Sequence, residues 1–156
     1  MKIVRAIRGA TCCENTKESI TENVCMMCNG IILQNNLSAA DIISIQFSIT
    51  KDLTVLNPAT ALRKGNMRTD VSEIPLFCTQ EAYIEGGMPF VVRVLVHAYM
   101  DQFASRKHVY INGAEGLRPD FANTDFRSVD ERERYSIAVS RSYMFNIQLL
   151  TLPFSS

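Results

Sequence analysis

Apolar and polar residues in this chain switch between two periods, and the switches mark out its elements. Residues 2–10 carry Ile3, Val4, Ala6 and Ile7, which predicts a strand ending at Arg8-Gly9-Ala10-Thr11. Asn15 and Glu18 have the spacing of a capping box. Beyond them Ile20, Val24, Met27 and Ile31 recur at helical intervals, predicting an amphipathic helix over about 16–34 that ends near Asn35-Asn36. Ser38-Ala39-Ala40-Asp41 reads as a second, short cap. Over 42–50, Ile43, Ile45, Phe47 and Ile49 alternate with Ser44, Gln46, Ser48 and Thr50, as in a half-buried strand. Asn57-Pro58 sets an N-cap before a first-turn proline and predicts a short helix closed by Gly65. A polar loop over 64–73 leads to a predicted strand over 74–84 carrying Cys78 and Glu81, then a turn at Gly86-Gly87. Val91 to Tyr99 puts Val92, Val94, Val96 and Ala98 on one apolar face, with Arg93 and His97 on the other beside Val91, Leu95 and Tyr99. An arginine in the middle of such a strand is either solvated or aimed at a polar ligand. A last strand over 108–111 precedes Leu117-Arg118-Pro119-Asp120. The order predicts an α+β fold, a mixed β-sheet with one long helix packed across it.

Composition narrows the function classes. The 156 residues are 47% hydrophobic and 21% charged, as expected of one globular domain. Sixteen basic residues balance sixteen acidic ones, which argues against a nucleic-acid binder. Arginine outnumbers lysine 11 to 5, and arginine's planar fork grips carboxylates with two hydrogen bonds. Lys2, Arg5 and Arg8 interrupt the stretch where a signal peptide needs an apolar run. The longest apolar stretch, 88–100, is broken by Arg93 and His97 and is shorter than the ~20 residues that span a bilayer. A cytoplasmic protein without membrane contact is expected. Five cysteines include one CxxC, Cys25-Met26-Met27-Cys28, which with Cys12 and Cys13 could nominally bind zinc. It lies inside the predicted helix without the turn residues of a zinc knuckle, so reduced thiols and no metal are expected.

Five fragments then fall in a recognisable order: Arg5-Ala6-Ile7-Arg8-Gly9-Ala10-Thr11, Asn57-Pro58-Ala59-x-x-x-Arg63, Cys78-Thr79-Gln80-Glu81, Gly86-Gly87-x5-Arg93, and His108-Val109-Tyr110-x6-Leu117-Arg118-Pro119-Asp120. The set resembles the trimeric α/β-barrel chorismate mutases typified by the monofunctional bacilli enzymes, over residues 1–121. The resemblance implies a homotrimeric pseudo-α/β-barrel with active sites between subunits. It also implies the Claisen rearrangement of chorismate to prephenate, on the way to phenylalanine and tyrosine, with no cofactor. Such a pericyclic shift needs no nucleophile or general base. It needs the reactive conformer held and the charge growing on the ether oxygen stabilised. By resemblance, Arg93 serves that oxygen, Arg8 and Tyr110 hold a carboxylate, and Glu81 with the Cys78 backbone holds the ring hydroxyl. Ala59, Leu76 and Phe77 line the cleft from a neighbouring subunit. Arg63 and Arg118 match the outer arginines near the mouth, and Leu117 joins the substrate-binding set.

The chain departs from the family pattern at three wall positions. Asn57 replaces an aromatic residue, Thr60 a frequent lysine, and Phe77 a small hydroxyl residue. These changes keep a second reading open, a non-catalytic or differently specific trimeric binder of small carboxylates. Glu81 together with Arg93 favours the enzyme, since a plain carboxylate binder has no need of both. Residues 122–156 form an extension outside the resemblance. Alternation from Tyr135 to Leu149 predicts a strand or hairpin that docks on the trimer, although a Ser128-x-x-Glu131 cap also permits a helix.

Overall fold

A computed structural model describes residues 1–121 of the chain. The expected extension structure over 122–156 lies outside the described residues. Strands β1 (Lys2–Cys12), β2 (Ile42–Ile49), β3 (Leu76–Gln80), β4 (Val91–Asp101) and β5 (Val109–Ile111) form one sheet in the order β3-β2-β4-β1-β5. β4 runs antiparallel to both β1 and β2, while β3 and β5 lie parallel to β2 and β1 at the two edges. The sheet is therefore mixed, as its pattern predicts.

Helices α1 (Lys17–Gln34) and α2 (Pro58–Lys64) cover one face of this sheet. Ile20, Val24, Met27 and Ile31 of α1 are fully buried and meet the face made by Ile7, Gly9, Val94 and Val96. Gly9 permits this closeness. A Cβ there would lie 3.0 Å from Ile31 Cδ1 and 2.8 Å from the Val109 carbonyl. Thr16, rather than the expected Asn15–Glu18 pair, caps α1 by accepting the Ser19 N–H. Asn15 turns instead to the 50s loop, where its Oδ1 accepts the Thr54 N–H. Asn57 caps α2 by accepting the Ala59 N–H at 2.8 Å, and Pro58 follows it as expected. Cys25 and Cys28 sit in α1 as buried core residues, and Cys13 is buried beside β1. Desolvation pushes the Cys13 thiol up to about 12 and the Cys28 thiol higher still, so both stay protonated.

The structure departs from the sequence pattern in β1, β3 and β2, each time for a local reason. β1 runs on to Cys12 because β4 offers partners through Val91. The strand expected over 74–84 is only Leu76–Gln80. Pro75 has no N–H to donate at its start, and the ladder ends where the Glu81 N–H donates to the Ile49 carbonyl. The chain then turns through Gly86 at φ +75°, leaving Tyr83 and Ile84 exposed. In β2 a bulge at Ile43 shifts the register between Ile42 and Ser44. Ile42 is buried in its place and Ile43 is exposed.

Candidate active site

The second face of the sheet carries no α-helix among the described residues, only the short 3-10 turns Ala114–Leu117 and Pro119–Phe121 at its β5 end, and the candidate site residues gather there. Alternation along β1 and β4 puts Arg8, Ala10 and Cys12 on that face with Val91, Arg93, Leu95 and His97. Ala10 pairs with Arg93 and Arg8 with Leu95, so Arg8 and Arg93 are diagonal cross-strand neighbours. Such diagonal neighbours lie about 7–8 Å apart, with their Cβ atoms somewhat closer. Two arginines on neighbouring strands of one face suit a ligand with two carboxylates.

Arg93 donates through Nη1 to Glu81 Oε2 in a half-buried ion pair. The other carboxylate oxygen, Oε1, accepts the Ser48 hydroxyl at 2.6 Å. Ser48 is the direct cross-strand partner of Arg93 on β2. The main chain of Glu81 is tied to β2 through Ile49, so backbone and side chain are both anchored beside Arg93. The entry to β4 is held as well. Phe90 sits at φ +57°, and its N–H donates to Asp52 Oδ1 at 3.0 Å.

A second group forms around β5. Tyr110 is buried with Ala10, Val91 and Ala114, and Cys12, Met88, Leu117 and Phe121 pack against that cluster. The Phe121 ring stacks on Tyr110 at 6.4 Å and meets His108 edge-on at 4.5 Å. The Arg118 guanidinium lies 4.0 Å from the Phe121 ring centre, and that of Arg8 lies 5.8 Å away. Arg118 also makes a two-armed pair with Asp120. β5 is set in place by Asn35 at the end of α1, whose side chain bonds both the N–H and the carbonyl of Lys107 at 2.8 Å.

The structure thus brings Arg8, Glu81, Arg93, Tyr110, Leu117 and Arg118 to one face. It does not bring residues 57–63 there. α2 packs on α1, with Cys25 Sγ 3.8 Å from the Ala61 carbonyl, so Asn57, Ala59, Thr60 and Arg63 belong to the opposite, helical side of the protomer. Ala59 is buried and Arg63 exposed. Leu76 and Cys78 are half-buried on edge strand β3, where Phe77 is 65% exposed. Burial raises the Cys78 thiol, which leaves it a poor nucleophile. Two neighbours of the site, Ser48 and Phe121, are missing from the set read from sequence. Ser48 was visible there only as part of the polar face of β2. Phe121 carries no periodic signal, since it follows Asp120 outside any predicted element.

A mixed sheet with helices on one face, and on the other an arginine–glutamate pair beside a second arginine, is the framework of a binding site for a small anion. Comparison with known proteins identifies the class more closely. A family profile for chorismate mutase type I matches residues 4–121. The AroH chorismate mutase of Bacillus subtilis (strain 168) is 32% identical over 124 residues, covering 78% of this chain and 95% of that protein. The Thermus thermophilus AroH chorismate mutase is 35% identical over 121 residues, covering 76% and 96%. A solved chorismate mutase from Clostridium thermocellum superposes with a TM-score of 0.64 at 34% identity, over 72% of this chain and 99% of that one. The chain belongs to the chorismate mutase type I family.

Proposed function

We propose that this chorismate mutase holds its substrate on the open face of the sheet, between Arg8, Glu81, Arg93 and Tyr110 of one protomer and residues 57–63 of a neighbouring copy. The enzyme isomerises chorismate to prephenate. Arg93 stabilises the charge that grows on the ether oxygen as its bond breaks. Arg8 and Tyr110 hold a carboxylate, with Arg118 at the mouth, and Glu81 takes the ring hydroxyl. The rearrangement is unimolecular, so binding energy is used to hold the compact reactive conformer. The observation that carries this reading is the Arg93–Glu81 pair, tethered at mid-strand and diagonal to a second arginine.

A homotrimer with a closed barrel is the assembly that completes such a site. It is supported by the open face itself, where Val4, Phe77 and Tyr99 are each about half or more exposed. The segment 57–63 also needs a second copy to reach any Arg93. Cysteines used as apolar core residues, as Cys13 and Cys28 are, suit a reducing cytoplasm. Residues 1–121 are the catalytic domain, and 122–156 are an extension to it. Among the described residues no helix is long and apolar enough to cross a membrane. The test is consumption of chorismate by the purified chain, followed by its absorbance, with Arg93→Lys as the control. Turnover that survives this substitution overturns the site assignment.

A further inference from the structure

We propose that Ser48 is a positioning residue for the rearrangement, keeping the Glu81–Arg93 pair one-armed so that the rest of the Arg93 fork faces the substrate. The inference rests on the site reading above. Arg93 and Ser48 face each other across the β2–β4 ladder, and Glu81 reaches both from the loop after β3. The Ser48 hydroxyl is 2.6 Å from Glu81 Oε1, the length of a charge-assisted O–H···O bond.

The chemistry of the pair shows why this bond matters. A carboxylate beside a guanidinium readily accepts two parallel N–H bonds. The terminal torsion of glutamate is broad, so the side chain alone does not prevent that arrangement. A two-armed pair would draw a second Arg93 nitrogen onto Glu81. The bond to Ser48 instead holds Oε1 toward β2, and Oε2 is the oxygen that meets Arg93, through Nη1. The carboxylate plane is then set by three ties, to Ser48, to Arg93 and through its own main chain to Ile49. Arg93 keeps donors directed at developing charge, which counts most in the transition state.

The experiment is steady-state kinetics on the full-length chain with Ser48→Ala, Ser48→Thr, Glu81→Ala, Arg93→Lys and the Ser48→Ala/Glu81→Ala double variant, with melting temperature measured for each. Ser48→Ala should lower kcat about tenfold with KM within about twofold, as expected when a transition-state contact is misaimed. Threonine suits a strand and retains the hydroxyl, so Ser48→Thr should restore kcat to within about threefold of the parent. In the Glu81→Ala background Ser48→Ala should cost nothing more, because its only route of action is gone. A normal kcat in Ser48→Ala, a Ser48→Thr variant no better than Ser48→Ala, or a loss that persists without Glu81 would overturn the role of Ser48. Normal kcat in Glu81→Ala and Arg93→Lys would overturn the site reading and this role together. Loss in those two beside a normal Ser48→Ala overturns the role of Ser48 alone.

Discussion

The main-chain N–H of Arg8 donates to Nδ1 of His108 at 3.0 Å, tying a site residue on β1 to the start of β5. The acceptor nitrogen must be unprotonated, so this bond exists only with neutral His108. Burial is the first cause that lowers the His108 pKa below its ordinary 6.5. Arg8, Arg106 and Arg118 lower it further, and Asp120 opposes them. The unfolded chain then binds the proton more readily than the folded one. Stability from this group is complete above about pH 6.5 and is lost as pH falls toward the depressed folded value. Thermal melts from pH 7 to pH 5 should show a falling Tm. His108→Asn, which keeps an acceptor but does not titrate, should flatten the fall. An unchanged slope would show that other groups govern the acid limb.

Arg93→Lys should lower kcat at least about a hundredfold, the range seen when a preorganised charge-stabilising donor is removed. One ammonium cannot serve Glu81 and a substrate oxygen with the geometry of a fork. The lysine stem still lies between Val92 and Val94 on the strand, so the melting temperature should change little. Stopped-time absorbance assays and a melt on the same sample check both halves.

Shared sites make a sharper prediction about assembly. Arg63→Ala and Arg93→Lys each damage a different wall of the proposed cleft. Co-expressed at equal amounts and randomly assembled in trimers, they should leave about one site in four with both walls intact. Activity of the mixture should then exceed that of either variant alone. No gain on mixing, despite hybrid trimers seen by native mass spectrometry, would place both arginines in one protomer's site or one of them outside it.

Gly65 predicts a stability effect remote from catalysis. Its φ is −87°, which any residue tolerates, but a Cβ would come within 2.3 Å of Cys25 Sγ and 2.8 Å of the Ala61 carbonyl. Gly65→Ala should therefore destabilise by roughly 1–3 kcal/mol, the usual cost of overpacking. Cys25→Ala should recover part of that loss in the double variant. Chemical denaturation of the three variants measures it.

A chain ending at Phe121 retains every residue placed in the site, so it should keep chorismate turnover within a few fold of the full chain. Loss of activity on that truncation would give residues 122–156 a part in the site.

Much of this architecture is legible in the chain because burial on one face writes a period into each element. The β4 pattern marks Arg93 as the polar exception on a strand, and Ile20, Val24, Met27 and Ile31 mark the helix above the sheet. What is not legible depends on partners distant in sequence. The bulge that exposes Ile43 arises from pairing with β4, and local alternation would have buried that residue. Tyr83 and Ile84 look like strand residues but have no neighbour to pair with once β2 ends at Ile49. The roles proposed for Glu81 and Arg8 rest on ordered motifs, since either alone resembles any surface charge. Ser48 is the opposite case. Its position on the polar face of β2 was plain, but its chemistry appears only when Arg93 is seen opposite and Glu81 beside it.

The place of β1 in the sheet has a consequence for how the protein is made. Of the five described strands β1 is made first, yet both its neighbours come late, with Arg8 bonding a histidine 100 residues downstream. Every β1 contact in the sheet must wait for residues beyond 90, and its pairing with β5 for residues beyond 108. Closing such long loops before any reward slows folding relative to a chain with local pairing. The newly made N-terminal half, with α1 already amphipathic and Ile7 unburied, spends that interval with apolar surface uncovered. The face proposed to hold the substrate is thus assembled late among the described residues, because Arg8 and Arg93 become neighbours only when β4 docks.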